Sequence, residues 1–165
     1  MSDTARYTVL FLCTGNSARS IIAEALLNHF GGSRFGSFSA GSRPRGEVNP
    51  FSLEVLRKAG LPIAGLRSKS WDEFTLPGAP EFDLVITVCD SAAGETCPLW
   101  PGQPATAHWS YPDPAAVEGT DEKKLKAFEH TLHEMQRRIQ LLVNLPSEKL
   151  DRLALERRVR SMAGA

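Results

Sequence analysis

Short apolar runs alternate along the chain with segments in which apolar residues recur at helical spacing. Four runs predict buried strands, at 7–12, 37–40, 84–88 and 106–109. Helical patterns follow the first, second and fourth of them. The first predicted helix ends at Gly31-Gly32, and the second begins at Asn49-Pro50. The third predicted helix begins at Thr120 and ends before Pro146. This alternation predicts an α/β fold, a single doubly wound domain with a mostly parallel four-stranded sheet flanked by helices.

A further amphipathic pattern follows the long third helix. We therefore divide the chain into a domain at 1–146 and a C-terminal helical extension at 147–165, with the helix itself at 147–163. The apolar positions of this predicted helix are leucines and one valine, and its more solvent-exposed faces carry four arginines. The pattern leaves three alternatives open: packing on the domain, pairing with a second subunit, or partial fraying.

Composition and charge limit the class of protein. The 165 residues are 42% apolar, which suits one domain with an ordinary core. Nineteen basic residues balance nineteen acidic ones, so the chain lacks the long-range field on which nucleic-acid and anionic-membrane binders rely. Because no apolar run approaches the roughly 20 residues that span a bilayer, we expect a cytoplasmic protein with neither partner.

The segment Cys13-Thr14-Gly15-Asn16-Ser17-Ala18-Arg19-Ser20 lies between a predicted strand and a predicted helix. Backbone N–H groups of such a loop form an anion cradle, which the positive end of the helix dipole strengthens. Gly15 and Asn16 tolerate the left-handed backbone angles of a tight loop. Arg19 supplies a planar fork that grips two oxygens of a tetrahedral anion. The segment therefore predicts an oxyanion site made by residues 14–19.

Cys13 stands at the mouth of this cradle, where a helix N-terminus and a neighbouring cation lower a cysteine pKa. We therefore expect Cys13 to ionise easily and act as a nucleophile, with Ser20 donating a hydrogen bond to the thiolate. A buried cysteine before an ordinary turn is the simplest alternative. A nucleotide-binding loop is excluded because no Gly-Lys-Ser/Thr ends the segment.

These residues resemble the Cys-x5-Arg-Ser signature of the low-molecular-weight protein tyrosine phosphatase superfamily. The resemblance to its arsenate reductase branch, an oxidoreductase branch linked to arsenical resistance, covers about residues 7 to 145. It extends to four further segments: Ser39-Ala40-Gly41, Thr87-Val88-Cys89, His108-Trp109 and Asp113-Pro114-Ala115. The resemblance implies that arsenate binds in the cradle, with phosphate or sulfate as analogues, and that no tightly bound cofactor is needed.

In the family, the aspartate of an Asp-Pro pair protonates the leaving oxygen, a role that the resemblance transfers to Asp113. In the reductase branch, Cys89 attacks the sulfur of the Cys13 adduct, and Cys97 then resolves the disulfide. Thioredoxin is the expected electron source, with glutaredoxin as the other option. Cys97 follows Cys89 by eight positions, one more than in the well-known thioredoxin-linked reductases.

Other functions remain open at this stage. A phosphatase would need only Cys13, Arg19 and Asp113, with water hydrolysing a phosphocysteine, although Ala115 and Ala116 replace the aromatic residues usual after this Asp-Pro. The chain is alternatively a non-catalytic oxyanion sensor or a scaffold for a partner. A zinc site at Cys89 and Cys97 is disfavoured because only a His-x2-His pair, His130 and His133, accompanies them.

Some relatives hold a potassium ion beside the cradle. The matching side chains here are Asn16, Glu24, Ser39 and Asp72. The alternative is that Asn16 and Ser39 brace the loop through hydrogen bonds.

Overall fold

The computed structural model describes residues 7–89 and 104–152, which include a sheet of four parallel strands. The strands are β1 (Tyr7–Leu12), β2 (Phe35–Ala40), β3 (Leu84–Thr87) and β4 (Ala105–His108). Their order is β2-β1-β3-β4, and every neighbouring pair is parallel. The predicted fold class is confirmed.

Three helices are α1 (Arg19–Phe30), α2 (Pro50–Lys58) and α3 (Asp121–Val143). The predicted N-caps are present: the Asn49 side chain accepts from the Phe51 N–H, and the Thr120 side chain accepts from the Lys123 N–H. Two short 3-10 turns span Trp71–Phe74 and Pro114–Ala116.

The two faces of the sheet belong to different parts of the core. Val9 and Phe11 join the cluster that contains the buried faces of α1, α2 and α3. Leu10 and Leu12 point the other way, toward the cluster that includes Phe82. Successive strand residues point to opposite faces, so β1 is buried on both sides, as its continuous apolar sequence predicts.

Some boundaries differ from those predicted. β2 begins at Phe35 rather than at residue 37, because Tyr7 pairs with Phe35 at the start of the neighbouring strand. α3 ends at Val143, where Asn144 caps it, two residues before the predicted end. Such differences arise from long-range pairing and end geometry, which the local pattern does not contain.

The described part of the C-terminal extension packs on the domain. Residues 147–152 are helical, and Leu150 is buried in the main core cluster. The Tyr7 hydroxyl donates a hydrogen bond to the Asp151 carboxylate. Residues 153–163 of the predicted helix lie outside the described residues, and the division of the chain at residue 146 stays a prediction. Within the described ranges, no helix is long and apolar enough to cross a membrane.

Candidate active site

The site lies where the strand order reverses. The chain leaves β1 for β2 on one side, whereas β3 lies on the other side of β1. Ligands of open parallel sheets bind in the crevice beyond such strand ends. Cys13 follows β1 and Cys89 lies just beyond β3, and both thiols are buried. A cavity of about 380 Å³ opens here, lined by Cys13, Thr14, Gly15, Asn16, Ser17, Ala18, Arg19, Arg43, Arg45, Cys89, Asp113 and Ala115.

The loop between β1 and α1 takes its turn at Asn16, whose φ of 44° lies in the left-handed region. Gly15 does not adopt this conformation, so that part of the prediction is wrong. Gly15 instead makes room for Arg45, because a Cβ at this position would lie 3.3 Å from Arg45 Nε.

The side chain of Asn16 fixes the loop from inside. It is fully buried, and its amide donates to Ser20 Oγ at 2.8 Å and to Ser39 Oγ at 3.0 Å. Its carbonyl oxygen accepts from the Lys69 N–H at 2.9 Å. Ser20 thus accepts one hydrogen bond and keeps its hydroxyl proton for donation. Donation from Ser20 to Cys13 stays a prediction.

The start of α1 presents donors to the cavity. Ala18 is the N-cap and provides no side-chain hydrogen bond to the first-turn N–H groups. Arg19 donates through Nη1 to the Tyr111 carbonyl at 2.8 Å. Its Nε–H is buried and has no hydrogen-bond partner within the described ranges. A buried guanidinium N–H without an acceptor is costly, so an oxyanion in the cavity would supply what this group lacks.

Asp113 faces Arg19 across the cavity. Its Oδ2 lies 3.8 Å from Arg19 Nη2, and its Oδ1 accepts from the Ala115 N–H at 2.9 Å. The carboxyl group is partly exposed at 38%. The segment before it is held by stacking, because the Arg138 guanidinium lies 6.0 Å from the Trp109 ring and 5.2 Å from the Tyr111 ring. The structure therefore places the predicted acid beside the predicted oxyanion cradle.

The two described thiols interact directly. A hydrogen bond between the Cys13 and Cys89 side chains raises the pKa of Cys13, and burial raises it further. The Arg19 charge and the Gly15 backbone act in the opposite direction and are outweighed. The pKa of Cys13 is thus raised rather than lowered in this structure, contrary to the expectation, because the hydrogen bond with Cys89 and burial favour the protonated Cys13 thiol. Thr14 Oγ1 also lies 3.9 Å from Cys89 Sγ.

Cys97 lies outside the described residues. His130 and His133 are exposed on α3. In the part of the chain that the structure describes, no three His, Cys, Asp or Glu residues group as metal ligands.

Three of the four residues considered for potassium come together, but around an ammonium group. Ser39 Oγ donates to Glu24 Oε1 at 2.5 Å and accepts from Asn16. Lys69 Nζ lies 3.4 Å from Ser39 Oγ and 3.8 Å from Glu24 Oε1. Asp72 is exposed and, among the described residues, makes no side-chain contact with the other three. A potassium ion therefore does not fit this set while Lys69 holds its place.

Sequence reasoning missed three basic residues. Arg43 and Arg45 line the cavity after β2, and the backbone N–H of each donates to the Cys13 loop, at Thr14 and Gly15. The Arg-Pro-Arg spacing just beyond a strand end was the available signal. Lys69 left no signal, because its burial depends on contacts with distant residues.

Comparison with known proteins places this geometry in a family. The model of the low molecular weight phosphotyrosine protein phosphatase family matches residues 8–155. An arsenate reductase from Bacillus licheniformis is 38% identical over 135 residues, which are 82% of this chain and 94% of the relative.

Solved structures that are similar to the chain include a reductase and a phosphatase. One is the thioredoxin-dependent arsenate reductase of Corynebacterium glutamicum, with 29% identity and a TM-score of 0.56. It aligns with 85% of this chain, which spans only 65% of the length of that protein. The other is a low molecular weight protein tyrosine phosphatase from T. tengcongensis, with 28% identity, a TM-score of 0.66, and coverage of 83% of this chain and 97% of that one. With the match to the family model, these similarities establish that the chain belongs to the low molecular weight phosphotyrosine protein phosphatase family.

Proposed function

We propose that the protein is an arsenate reductase that uses Cys13 as its nucleophile and Cys89 and Cys97 as relay thiols. The cradle of residues 14–19 holds the oxyanion, and Asp113 protonates the departing oxygen. Two features support oxyanion binding: the buried Nε–H of Arg19, which has no partner among the described residues, and the start of α1, which has no side-chain cap. The arsenate reductases among the similar proteins support arsenate as that oxyanion.

The reaction needs two electrons, which the thiols supply. The Cys13 thiolate attacks As(V) and displaces one oxygen, which leaves as water once protonated. The Cys89 thiolate then attacks Cys13 Sγ, the S–As bond breaks, and its electron pair stays with arsenic as As(III). The products are arsenite and a Cys13–Cys89 disulfide.

The observation that carries the proposal is the direct contact between the two thiols in the cavity. Hydrolysis of a phosphoester has no use for a second thiol, whereas reduction of an oxyanion requires one. The hydrogen bond between Cys89 and Cys13 supports an attack by Cys89 on Cys13 Sγ once the adduct forms.

Recycling requires a further exchange. Cys97 attacks Cys89 Sγ, which frees the Cys13 thiolate, and the dithiol of reduced thioredoxin then reduces the Cys89–Cys97 disulfide. The name of the Corynebacterium relative supports thioredoxin as the reductant. Such a cycle runs in a reducing compartment, which agrees with the cytoplasmic location predicted from the sequence.

The relay is tested by following NADPH oxidation with arsenate, thioredoxin and thioredoxin reductase, in parallel with hydrolysis of a phenyl phosphate. We expect Cys13→Ser to lose both activities, because it removes the nucleophile. We expect Cys89→Ser and Cys97→Ser to lose arsenate-dependent NADPH oxidation and to keep slow hydrolysis. Glutaredoxin with glutathione replaces thioredoxin as the control for reductant identity.

Two results would contradict the relay. If Cys89→Ser lost hydrolysis as well as reduction, Cys89 would be supporting the loop rather than accepting electrons. If Cys97→Ser reduced arsenate at the wild-type rate through repeated turnovers, the disulfide would be resolved without Cys97.

The second candidate function is phosphatase activity. The similar tyrosine phosphatase from T. tengcongensis and the complete set of Cys13, Arg19 and Asp113 favour it. Among the described residues that line the cavity, none is aromatic, so an aryl phosphate has little to stack on there. Efficient turnover of phosphotyrosine peptides, undiminished in Cys89→Ser, would support this function instead.

A further inference from the structure

The side chain of Lys69 lies behind the Cys13 loop rather than in the cavity. Lysine is rarely buried, yet the Lys69 side chain is only 6% exposed. Its ammonium donates to the Arg67 carbonyl at 2.9 Å, and its other close neighbours are Ser39 Oγ and Glu24 Oε1. An ammonium thus sits among three oxygen atoms.

The same oxygens connect Lys69 to the loop. Ser39 Oγ accepts a hydrogen bond from the side-chain amide of Asn16. The side-chain oxygen of Asn16, Oδ1, accepts a hydrogen bond from the Lys69 backbone N–H. Lys69 is therefore linked to Asn16 twice, directly through its backbone N–H and indirectly through its ammonium, which contacts the β2 residue Ser39. Asn16 holds the left-handed turn of the loop, so a change at Lys69 reaches the geometry of the oxyanion cradle.

Charge explains why a cation is needed here. Glu24 is largely buried, with 13% of its side chain exposed, and a compensating positive charge lowers the cost of burying a carboxylate. The Lys69 ammonium meets this requirement from within the chain. A second monovalent cation among the same oxygens would be repelled by the ammonium at close range.

We propose that Lys69 is a built-in monovalent cation that pairs with Glu24 and braces the oxyanion loop through Ser39 and Asn16. Lys69 is a positioning residue, since it acts through Asn16 and does not line the cavity. The inference goes beyond the proposed function and does not depend on which oxyanion binds, so it is tested by thermal unfolding even if arsenate is not the substrate.

The experiment compares melting temperatures in KCl and in choline chloride at equal ionic strength. We expect the wild type to melt at the same temperature in both salts. Lys69→Met leaves Glu24 without its partner, so its melting temperature in choline chloride should fall by on the order of 5–10 °C. KCl should restore at least half of this loss, because the vacated space then accepts a potassium ion among the same oxygens.

Two further variants isolate the cause. Lys126→Met removes an exposed lysine that lies 3.9 Å from Glu122, and should show neither the loss nor the response to potassium. The double variant Lys69→Met/Glu24→Gln lacks both charges and should not respond to potassium. Lys69→Gln takes the place of Lys69→Met if the latter does not fold.

The proposal is overturned if the wild type is stabilised by KCl but not by choline chloride, which would place a potassium site beside an intact Lys69. It is equally overturned if neither Lys69→Met nor Lys69→Gln responds to potassium. A loss of arsenate reduction in the wild type would affect the proposed function and leave these melting temperatures unchanged.

Discussion

At the scale of single residues, Cys13 shows two opposing influences on one thiol. Arg19 and the backbone of the loop favour the thiolate, whereas burial and the hydrogen bond with Cys89 favour the thiol. Burial and the hydrogen bond with Cys89 outweigh the other two influences, so the pKa of Cys13 lies above its ordinary value. Cys89 therefore stabilises the protonated form of Cys13 in the resting protein and is also its proposed partner in the relay.

This balance is testable through alkylation of Cys13 by iodoacetamide, since only the thiolate reacts. We expect the rate at Cys13 in the wild type to keep rising through pH 8.5, the ordinary pKa region of a cysteine. In Cys89→Ala the hydrogen bond that retains the proton is gone, so the pH midpoint should fall by about one unit or more. The measurement is mass spectrometry of the Cys13 peptide over a pH series.

Arg19→Gln is the matched control, because it removes an influence of the opposite sign. It should move the midpoint upward. A Cys89→Ala midpoint equal to that of the wild type would show that the thiol contact does not set the ionisation of Cys13.

At the scale of elements, the loop is packed against the residues that follow β2. The Gly41 N–H donates to the Lys69 carbonyl, and the Gly41 carbonyl accepts from Trp71. A Cβ on Gly41 would lie 2.4 Å from the backbone oxygens of both Cys13 and Thr14. The absence of a side chain at Gly41 is therefore what allows this backbone to support the loop.

Gly41→Ala should displace the Cys13 loop, because both clashing atoms belong to the backbone. We expect a loss of about 1–3 kcal/mol in the free energy of unfolding. Because a shift of about 1 Å in reacting groups costs on the order of 100-fold in rate, kcat for arsenate should fall far more than the stability loss implies. Urea denaturation and steady-state kinetics measure the two effects.

Gly78→Ala separates stability from activity. Gly78 also has a backbone that disfavours a side chain, with φ of +86°, but nothing lies within 4 Å of its Cβ position. This variant should lose stability and keep its kcat. Wild-type kcat in Gly41→Ala would show that the loop tolerates the clash.

Local rules accounted for most elements. The caps at Asn49 and Thr120 and the unbroken apolar sequence of β1 are properties of a few neighbouring residues, and each was predicted. The raised pKa of Cys13 and the burial of Lys69 depend on residues far away in sequence, at Cys89 and Glu24. No pattern in the chain marks those contacts, so they required the structure.

At the scale of the whole molecule, a balanced charge hides a local imbalance. The chain has no formal net charge, but among the described residues the cavity is lined by Arg19, Arg43 and Arg45 and by one carboxylate, Asp113. A concave site with an excess of positive charge concentrates anions. Oxyanions are therefore attracted by the site and not by the molecule as a whole.

The double variant Arg43→Gln/Arg45→Gln tests this attraction. We expect KM for arsenate to rise by roughly 3- to 10-fold at low salt and kcat to change little, because these groups gather the ion without reacting. The difference should shrink as salt is added, because salt screens exposed charges beyond about 10 Å at 0.1 M. Steady-state kinetics across a salt series measure both effects.

Arg57→Gln is the control, since Arg57 is exposed and paired with Glu54 on α2. Its KM should match that of the wild type at every salt concentration. A lower kcat with unchanged KM in the double variant would instead assign these arginines to the chemical step.

The neighbouring positions of β1 and β3 also bear on competition with free thiols. Cells contain small thiols at high concentration, and any of them could attack the sulfur of a Cys13 adduct. Groups held in contact within one molecule react as though the partner were present at an effective concentration of about 10⁵ M or more when well oriented. In the proposed relay, the position of Cys89 beside Cys13 therefore favours Cys89 over a free small thiol in the attack on the adduct.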